Sequence, residues 1–321
     1  MRAWICKKWG GPNDLSLGDL TEPVCTDRSV KIRADAWGVN FADLVLIAGQ
    51  YQARPSFPFA PGMEVSGVGV ETSPDVAEIS VGDKVAAYVE FNGYADLVVA
   101  PVSNVARIPK NFPCTDAAAF PVPFATASLA IERANLQADE YVLIGGAGGA
   151  VGLACVQLAK LRGAKIVAAT SSTEKAHLAR ESGADFIVSS HSHTLVSDIK
   201  QIISKGVDVV FDPIGGSFFE ETLKALRFSG RMVTLGFTSG TIPSAKVNQI
   251  LVRHISVIGS SLGLACHENP EYVARLWPRL GNQLSKGEIS PCVSKILSFK
   301  ELPNALTMLA SRSIAGRIVL I

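Results

Sequence analysis

At 321 residues, with 30 basic and 29 acidic side chains, the chain has length enough for two domains and almost no net charge. Hydrophobic residues make up 48% and charged residues 18%, which excludes a disordered polar chain. No basic run supports a nucleic-acid surface, and no apolar stretch reaches the roughly 18 residues of a membrane span.

Cys6, Cys25, Cys114, Cys155, Cys266 and Cys292 are scattered without a CxxC pair and read as thiols of a reducing compartment. The sequence opens directly on strand-like residues, with no signal-peptide apolar region, so a cytoplasmic location is expected.

Up to about residue 121, apolar runs at 30–34, 65–70, 84–89 and 94–99 are broken by Gly and Pro, with turns at Gly82-Asp83 and Asn92-Gly93. That spacing predicts a β-rich domain. From about 123 to 263 the texture alternates. It predicts strands at 141–145, 165–169, 186–189, 207–212, 231–235 and 254–259, and helices at 151–161, 173–182, 195–205 and 218–228. Strands with so little polar interruption belong in a parallel sheet covered on both faces, a doubly wound α/β domain. The tail predicts helices at 272–285 and 302–311, then a strand at 317–321 that returns to the sheet begun by the first domain. The expected organisation is a β-rich domain of residues 1–122 with 267–321, and a cofactor domain of residues 123–266.

Between the first strand and helix of the alternating region runs Ala147-x-Gly149-x-x-Gly152, an AxGxxG form of the dinucleotide turn. Gly149 lets the backbone approach a pyrophosphate, Ala150 and Val151 open the helix whose N-terminus faces it, and Gly152 allows close helix–strand packing. Glycines also make ordinary turns, but the strand–turn–helix setting favours the nucleotide. The ribose-binding acid, due about 20 residues later, is missing. Ser171, Ser172 and Lys175 stand there instead. A carboxylate about 4 Å from a 2′-phosphate opposes each charge by about 4 kcal/mol at an effective dielectric of about 20. Hydroxyls and an ammonium group therefore favour NADPH, although the serines also suit a plain helix cap beside a solvated lysine.

No tyrosine has Lys four residues later, which removes the short-chain dehydrogenases. The stretches GVNFADLVLIAGQY (38–51), PFAPGMEVSGVG (58–69), VGDKVAA (81–87), NGYADLVV (92–99), GGAGGAVGLACVQLAK, GVDVVFDPIGG (206–216) and AGRIVLI (315–321) carry a resemblance that runs end to end. They are similar to the zinc-free quinone oxidoreductase branch of the medium-chain dehydrogenase/reductase superfamily, the group that includes zeta-crystallin. The resemblance implies a GroES-like β-rich substrate domain beside a Rossmann domain.

It also implies that zinc relatives place a cysteine at Asn40, a histidine at Met63 and a further cysteine within 120–126; this chain has none of them there, and Cys114 stands alone where a structural-zinc lobe would be. His191-x-His193 lies in a polar loop and reads as solvated. No metal is expected.

A zinc-free site suits an already electrophilic acceptor, a quinone or an α,β-unsaturated carbonyl. The resemblance places Asn40 beside nicotinamide and acceptor, where its amide donates to a carbonyl oxygen, and gives Tyr51 a place as proton donor or as cleft wall. Asp43 and Glu64 are assigned to holding the loop. Thr126, Gly215, Phe237 and Thr238 are expected against the cofactor, and Arg317 is expected to add charge on the adenine side. One departure stands out: relatives carry Asn-Tyr-Arg after the third Rossmann strand, and this chain has Ser189-Ser190-His191. The expected activity is an NADPH-dependent reductase of a quinone or enone, acting as a homodimer through the edge at 254–264. The alternative is an NADPH-binding protein of low activity in a structural or RNA-associated role.

Overall fold

The computed structural model describes residues 1–191 and 194–321. It divides into two compact units, Met1–Ala125 with Gly263–Ile321, and Thr126–Leu262. These changes at 125/126 and 262/263 lie three to four residues from the 122/123 and 266/267 that the sequence texture predicts.

In the first unit, β1 (Arg2–Ile5) and β2 (Ser16–Asp19) pair antiparallel. The main sheet is built from β3 (Ser29–Gly38), β4 (Glu64–Thr72), β5 (Lys84–Tyr88), β6 (Leu97–Pro101) and β7 (Val105–Arg107). β3 is the longest of these strands and pairs antiparallel with both β4 and β6. Its Val30, Ile32, Ala34 and Ala36 are buried on one face, and on the other only Arg33 and Asp35 are exposed.

The second unit is a parallel sheet of β8 (Tyr141–Ile144), β9 (Lys165–Thr170), β10 (Phe186–Ser189), β11 (Val207–Asp212), β12 (Leu226–Thr234) and β13 (Ser256–Gly259). Among the described residues the order is β10-β9-β8-β11-β12-β13, and every pairing is parallel. Ile166, Val167, Ala168 and Ala169 are all solvent-free, as expected for a strand covered on both faces. The order reverses at β8 and β11, and ligands of open α/β sheets bind beyond the carboxyl ends of the strands at that reversal.

The tail returns to the first unit. β14 (Val293–Leu297) pairs parallel with β15 (Arg317–Leu320), which pairs antiparallel with β3 through Val319–Gly38 and Leu320–Trp37.

Two predicted helices are cut by the structure. The segment expected to be helical over 218–228 is helical only at Gly216–Ala225; Leu226 already pairs with Val207 as the start of β12 and is buried in the core. The segment 272–285 is divided into Pro270–Ala274 and Leu276–Ser285. Pro278 lacks the N–H that would bond back to Ala274, so one continuous helix cannot form there. Among the described residues no helix is long and apolar enough to cross a membrane.

Candidate active site

In the second unit the turn after β8 is drawn tight by two backbone bonds, Gly149 N–H to Gly146 O at 2.9 Å and Ala147 N–H to Ala169 O at 3.1 Å. The helix Ala150–Leu161 follows, with Gly149 at its N-cap and no side-chain cap. The amides of Ala150, Val151 and Gly152 thus have no intrahelical acceptor and sit at the positive end of the helix dipole. A Cβ on Gly152 would lie 2.2 Å from Gly146 O and 2.7 Å from Ala147 Cα, so only glycine permits this approach. At Gly149 the nearest atom to such a Cβ is Gly146 O at 3.5 Å, so the protein itself leaves that space open.

β9 ends beside this turn, and Ser172 caps the helix Thr173–Glu181 by accepting from Lys175 N–H at 3.3 Å. Lys175 Nζ donates to Ser171 Oγ at 3.3 Å. A Cβ on Gly148 would come within 2.3 Å of Lys175 Cβ, which shows the lysine stem packed onto the glycine turn. Ser171, Ser172 and Lys175 thus stand together over the turn, joined by the helix cap and the lysine–serine bond. Glu174 is an exposed carboxylate in the same first helical turn.

The loops after β11 and β12 are stitched to each other. Thr238 N–H donates to Pro213 O at 3.0 Å, Ser239 N–H to Ile214 O at 2.9 Å and Gly216 N–H to Thr241 O at 3.0 Å. Gly215 lies in the left-handed region (φ 72°), and a Cβ there would strike Phe237 Cδ1 and Thr241 O, both at 2.9 Å. Gly215, Phe237 and Thr238 therefore share one platform at the carboxyl end of the sheet, with the Phe237 ring substantially exposed. Asp212, which the sequence reading did not single out, fixes this platform: its Oδ1 accepts from Ile214 N–H at 2.7 Å and Gly215 N–H at 2.9 Å. Burial raises its pKa, and those two bonds act the other way. An Asp-Pro-x-Gly run is a turn signal that would have found it. Thr126 is half-buried in the helix Pro121–Ala134. Open helix amides and a glycine facing empty space fit the pyrophosphate of a nicotinamide dinucleotide.

In the first unit, β15, β3 and β4 are neighbours, and Arg317, Asn40 and Glu64 lie at or just past their ends on one side. All three are buried. Asn40 Nδ2 donates to Glu64 Oε1 at 2.9 Å, and Arg317 Nη1 donates to Asn40 Oδ1 at 3.0 Å. Arg317 Nη2 pairs directly with Glu64 Oε1, and Val122 N–H donates to Glu64 Oε2 at 2.8 Å. Room for this comes from Gly38, where a Cβ would lie 2.3 Å from Glu64 Oε1 and 2.7 Å from Arg317 Nη2.

Arg317 therefore does not have the role expected of it. It is buried beside β3 with its guanidinium engaged by Asn40 and Glu64, and it has no charge to spare for an adenine phosphate. Burial lowers its pKa to about 10, against the pull of Asp43, so it stays charged near neutral pH.

Asp43 is solvent-free and accepts at Oδ2 from Asn40 N–H at 2.8 Å and from Tyr94 Oη at 2.6 Å. Burial pushes its pKa up to about 6, and the two bonds and Arg317 partly offset that. Tyr51 follows the helix Phe41–Ile47 and is half-buried; burial, then Glu90, Asp43 and Cys266, push its pKa up to about 12.

Asn40 is committed as an acceptor to Arg317, and Met63 is buried. Among the described residues no group of three His, Cys, Asp or Glu side chains is placed to hold a metal. The positions that zinc relatives use do not fit a catalytic zinc. His193 lies outside the described residues.

Residues 26–110 match the family model for the alcohol dehydrogenase GroES-like domain, and residues 150–278 the model called zinc-binding dehydrogenase. Quinone oxidoreductase-like protein 2 of Bos taurus is 33% identical over 99% of this chain and 96% of the bovine protein. Among solved structures, a mycobacterial protein complexed with NADPH is 26% identical with a TM-score of 0.92, covering 100% of this chain and 99% of that one. The quinone oxidoreductase of Pseudomonas syringae pv. tomato DC3000 is 25% identical with a TM-score of 0.91, over 100% and 99% of the two chains. With its GroES-like first unit, its parallel cofactor-type sheet and a relative matched from end to end, the chain belongs to the quinone oxidoreductase branch of the medium-chain dehydrogenase/reductase superfamily.

Proposed function

We propose that the protein is an NADPH-dependent, zinc-independent reductase of quinones or α,β-unsaturated carbonyls. The observation that carries this reading is Lys175, packed on the glycine turn and bonded to Ser171 where an NAD-binding chain would have its acid. Bound NADPH supplies the hydride, and an acceptor already electrophilic needs no Lewis acid.

The chain's own residues do the rest. The amides of Ala150, Val151 and Gly152 hold the pyrophosphate, and Ser171, Ser172 and Lys175 hold the 2′-phosphate. Gly215, Phe237, Thr238 and Thr126 form the wall against which the nicotinamide half lies. Asn40 keeps its second Nδ2 hydrogen for the acceptor carbonyl, with Glu64 and Arg317 fixing the amide's orientation. Tyr51 is the proton donor: a phenol held near pKa 12 stays protonated at neutral pH and gives its proton only to a strongly basic oxygen.

The protein acts in the cytoplasm as a homodimer formed through β13. That strand is an edge among the described residues, and Leu251, Val252 and Val257 are exposed beside or on it. Sedimentation at micromolar concentration tests the dimer, and a single monomeric species rules it out.

Side-by-side calorimetric titration with NADPH and NADH, followed by stopped-flow NADPH oxidation with a panel of quinones and enones, tests the function. NADPH is expected to bind at least about tenfold more tightly, with Lys175→Ala removing most of that preference and leaving NADH affinity unchanged. Equal affinity for both coenzymes refutes the specificity. Tight NADPH binding without turnover of any acceptor returns the protein to the alternative of a binding role.

A further inference from the structure

Tyr88, the last residue of β5, is buried, and among the described residues its hydroxyl makes no hydrogen bond of full geometry, although the Tyr51 hydroxyl lies near enough to act on it. A buried hydroxyl without a full hydrogen bond is destabilising, so packing alone gives no reason for the oxygen. Its position gives one. A Cβ on Gly263 would lie 3.1 Å from Tyr88 Oη and 3.4 Å from Tyr51 Oη, so the two phenols converge on one spot beside the Gly263 backbone. The other ionisable groups acting on Tyr51 are Glu90, Asp43 and Cys266; those acting on Tyr88 are Cys266 and Glu90.

We propose that Tyr88 is a positioning residue for Tyr51: its hydroxyl donates to Tyr51 Oη, turns the Tyr51 proton toward the acceptor oxygen, and shares the charge left when that proton departs. This rests on the reading of Tyr51 as proton donor. In the step, the Tyr51 O–H bond breaks and a new O–H bond forms on the acceptor oxygen, which carries the electron pair delivered with the hydride of NADPH. The Tyr51 phenolate then takes a proton from water, and Tyr88 keeps its own throughout. The electrostatics agree in direction. Burial raises the Tyr88 pKa well above its ordinary value, so it remains a donor, and its hydroxyl acts to lower that of Tyr51. Cys266, raised to about 12 chiefly by burial, is a neutral thiol that does not compete for the proton.

The test compares wild type, Tyr51→Phe, Tyr88→Phe and the double variant, using NADPH with 1,4-naphthoquinone and 2-cyclohexenone. Tyr51→Phe is expected to lower kcat by about 100-fold. Tyr88→Phe is expected to lower it by about fivefold with KM and NADPH affinity unchanged, and to cost nothing further once Tyr51 is Phe. Tyr88→Phe should melt within about 4 °C of the wild-type temperature, because it removes no more than one hydrogen bond. A second readout needs no turnover: in protein carrying 13Cζ-tyrosine, the Tyr51 resonance moves on Tyr88→Phe while that of Tyr94 stays. An unmoved Tyr51 resonance, or an equal kcat loss with and without the Tyr51 hydroxyl, overturns the pairing. A wild type that reduces neither acceptor while the resonance still moves refutes the reductase reading and leaves the pairing standing.

Discussion

Replacing Arg317 by leucine would leave the Glu64 carboxylate buried with two hydrogen bonds, from Asn40 Nδ2 at 2.9 Å and Val122 N–H at 2.8 Å, and no counter-charge. Breaking a buried pair from one side costs about 3–5 kcal/mol, because the surviving charge has lost both water and partner. At about 2–4 °C per kcal/mol for a domain of this size, the melting temperature should fall by about 6–20 °C. Urea unfolding of wild type, Arg317→Leu and the double variant Arg317→Leu/Glu64→Leu measures this directly. The double variant should recover most of the loss, since neither charge remains to be solvated. The deficit of the single variant should also narrow as pH falls, because the buried Asp43 carboxyl, which Arg317 helps to hold down, takes up its proton more readily once that charge is gone. A single variant within about 2 °C of wild type at neutral pH would show that Arg317 does not offset a buried charge on Glu64. So would a double variant no more stable than the single.

Gly152→Ala should weaken NADPH binding by at least about tenfold and lower the melting temperature, because its Cβ lies 2.2 Å from Gly146 O and the turn must move; unchanged affinity in fluorescence titration would contradict this. Asp43→Asn should separate the pH–stability profiles of variant and wild type. The folded-state pKa of Asp43 is raised from 3.8 to about 6, so its contribution is fully present below 3.8 and is lost as pH rises through about 6. Relative to the variant, wild type should lose about 3 kcal/mol across that window, at about 1.4 kcal/mol per pKa unit, and stay level above it. Parallel urea-unfolding profiles from pH about 4 to about 7 would show that Asp43 does not titrate there.

The doubly wound sheet was legible because its strands are continuous apolar runs of the right length: Ile166 to Ala169 admits no exposed face, and the structure gives it none. The glycine turn was legible for a related reason, since the close approach of Gly152 leaves a mark in composition. Leu226 shows where this stops. A leucine after a helical stretch continues the helix by local pattern, and only its pairing with Val207 turns it into strand. The break before Pro278 is signalled by the proline itself, which cannot donate to the turn before it. Arg317 was misplaced for a deeper reason. Its partner Asn40 is 277 positions away, and no local period carries information across that distance. Tyr88 looked like any buried strand residue, because an unsatisfied hydroxyl becomes visible only in three dimensions.

The return of β15 to β3 sets an order of assembly during synthesis. The unit Thr126–Leu262 is one uninterrupted segment, and all of it is made before β15. Glu64 emerges long before its cation does, so through most of translation the nascent first unit carries a carboxylate it cannot yet close over. Completion of that unit thus waits on β15: a product stopped short of Arg317 keeps an unpaired edge on β3 and a buried acid with no counter-charge.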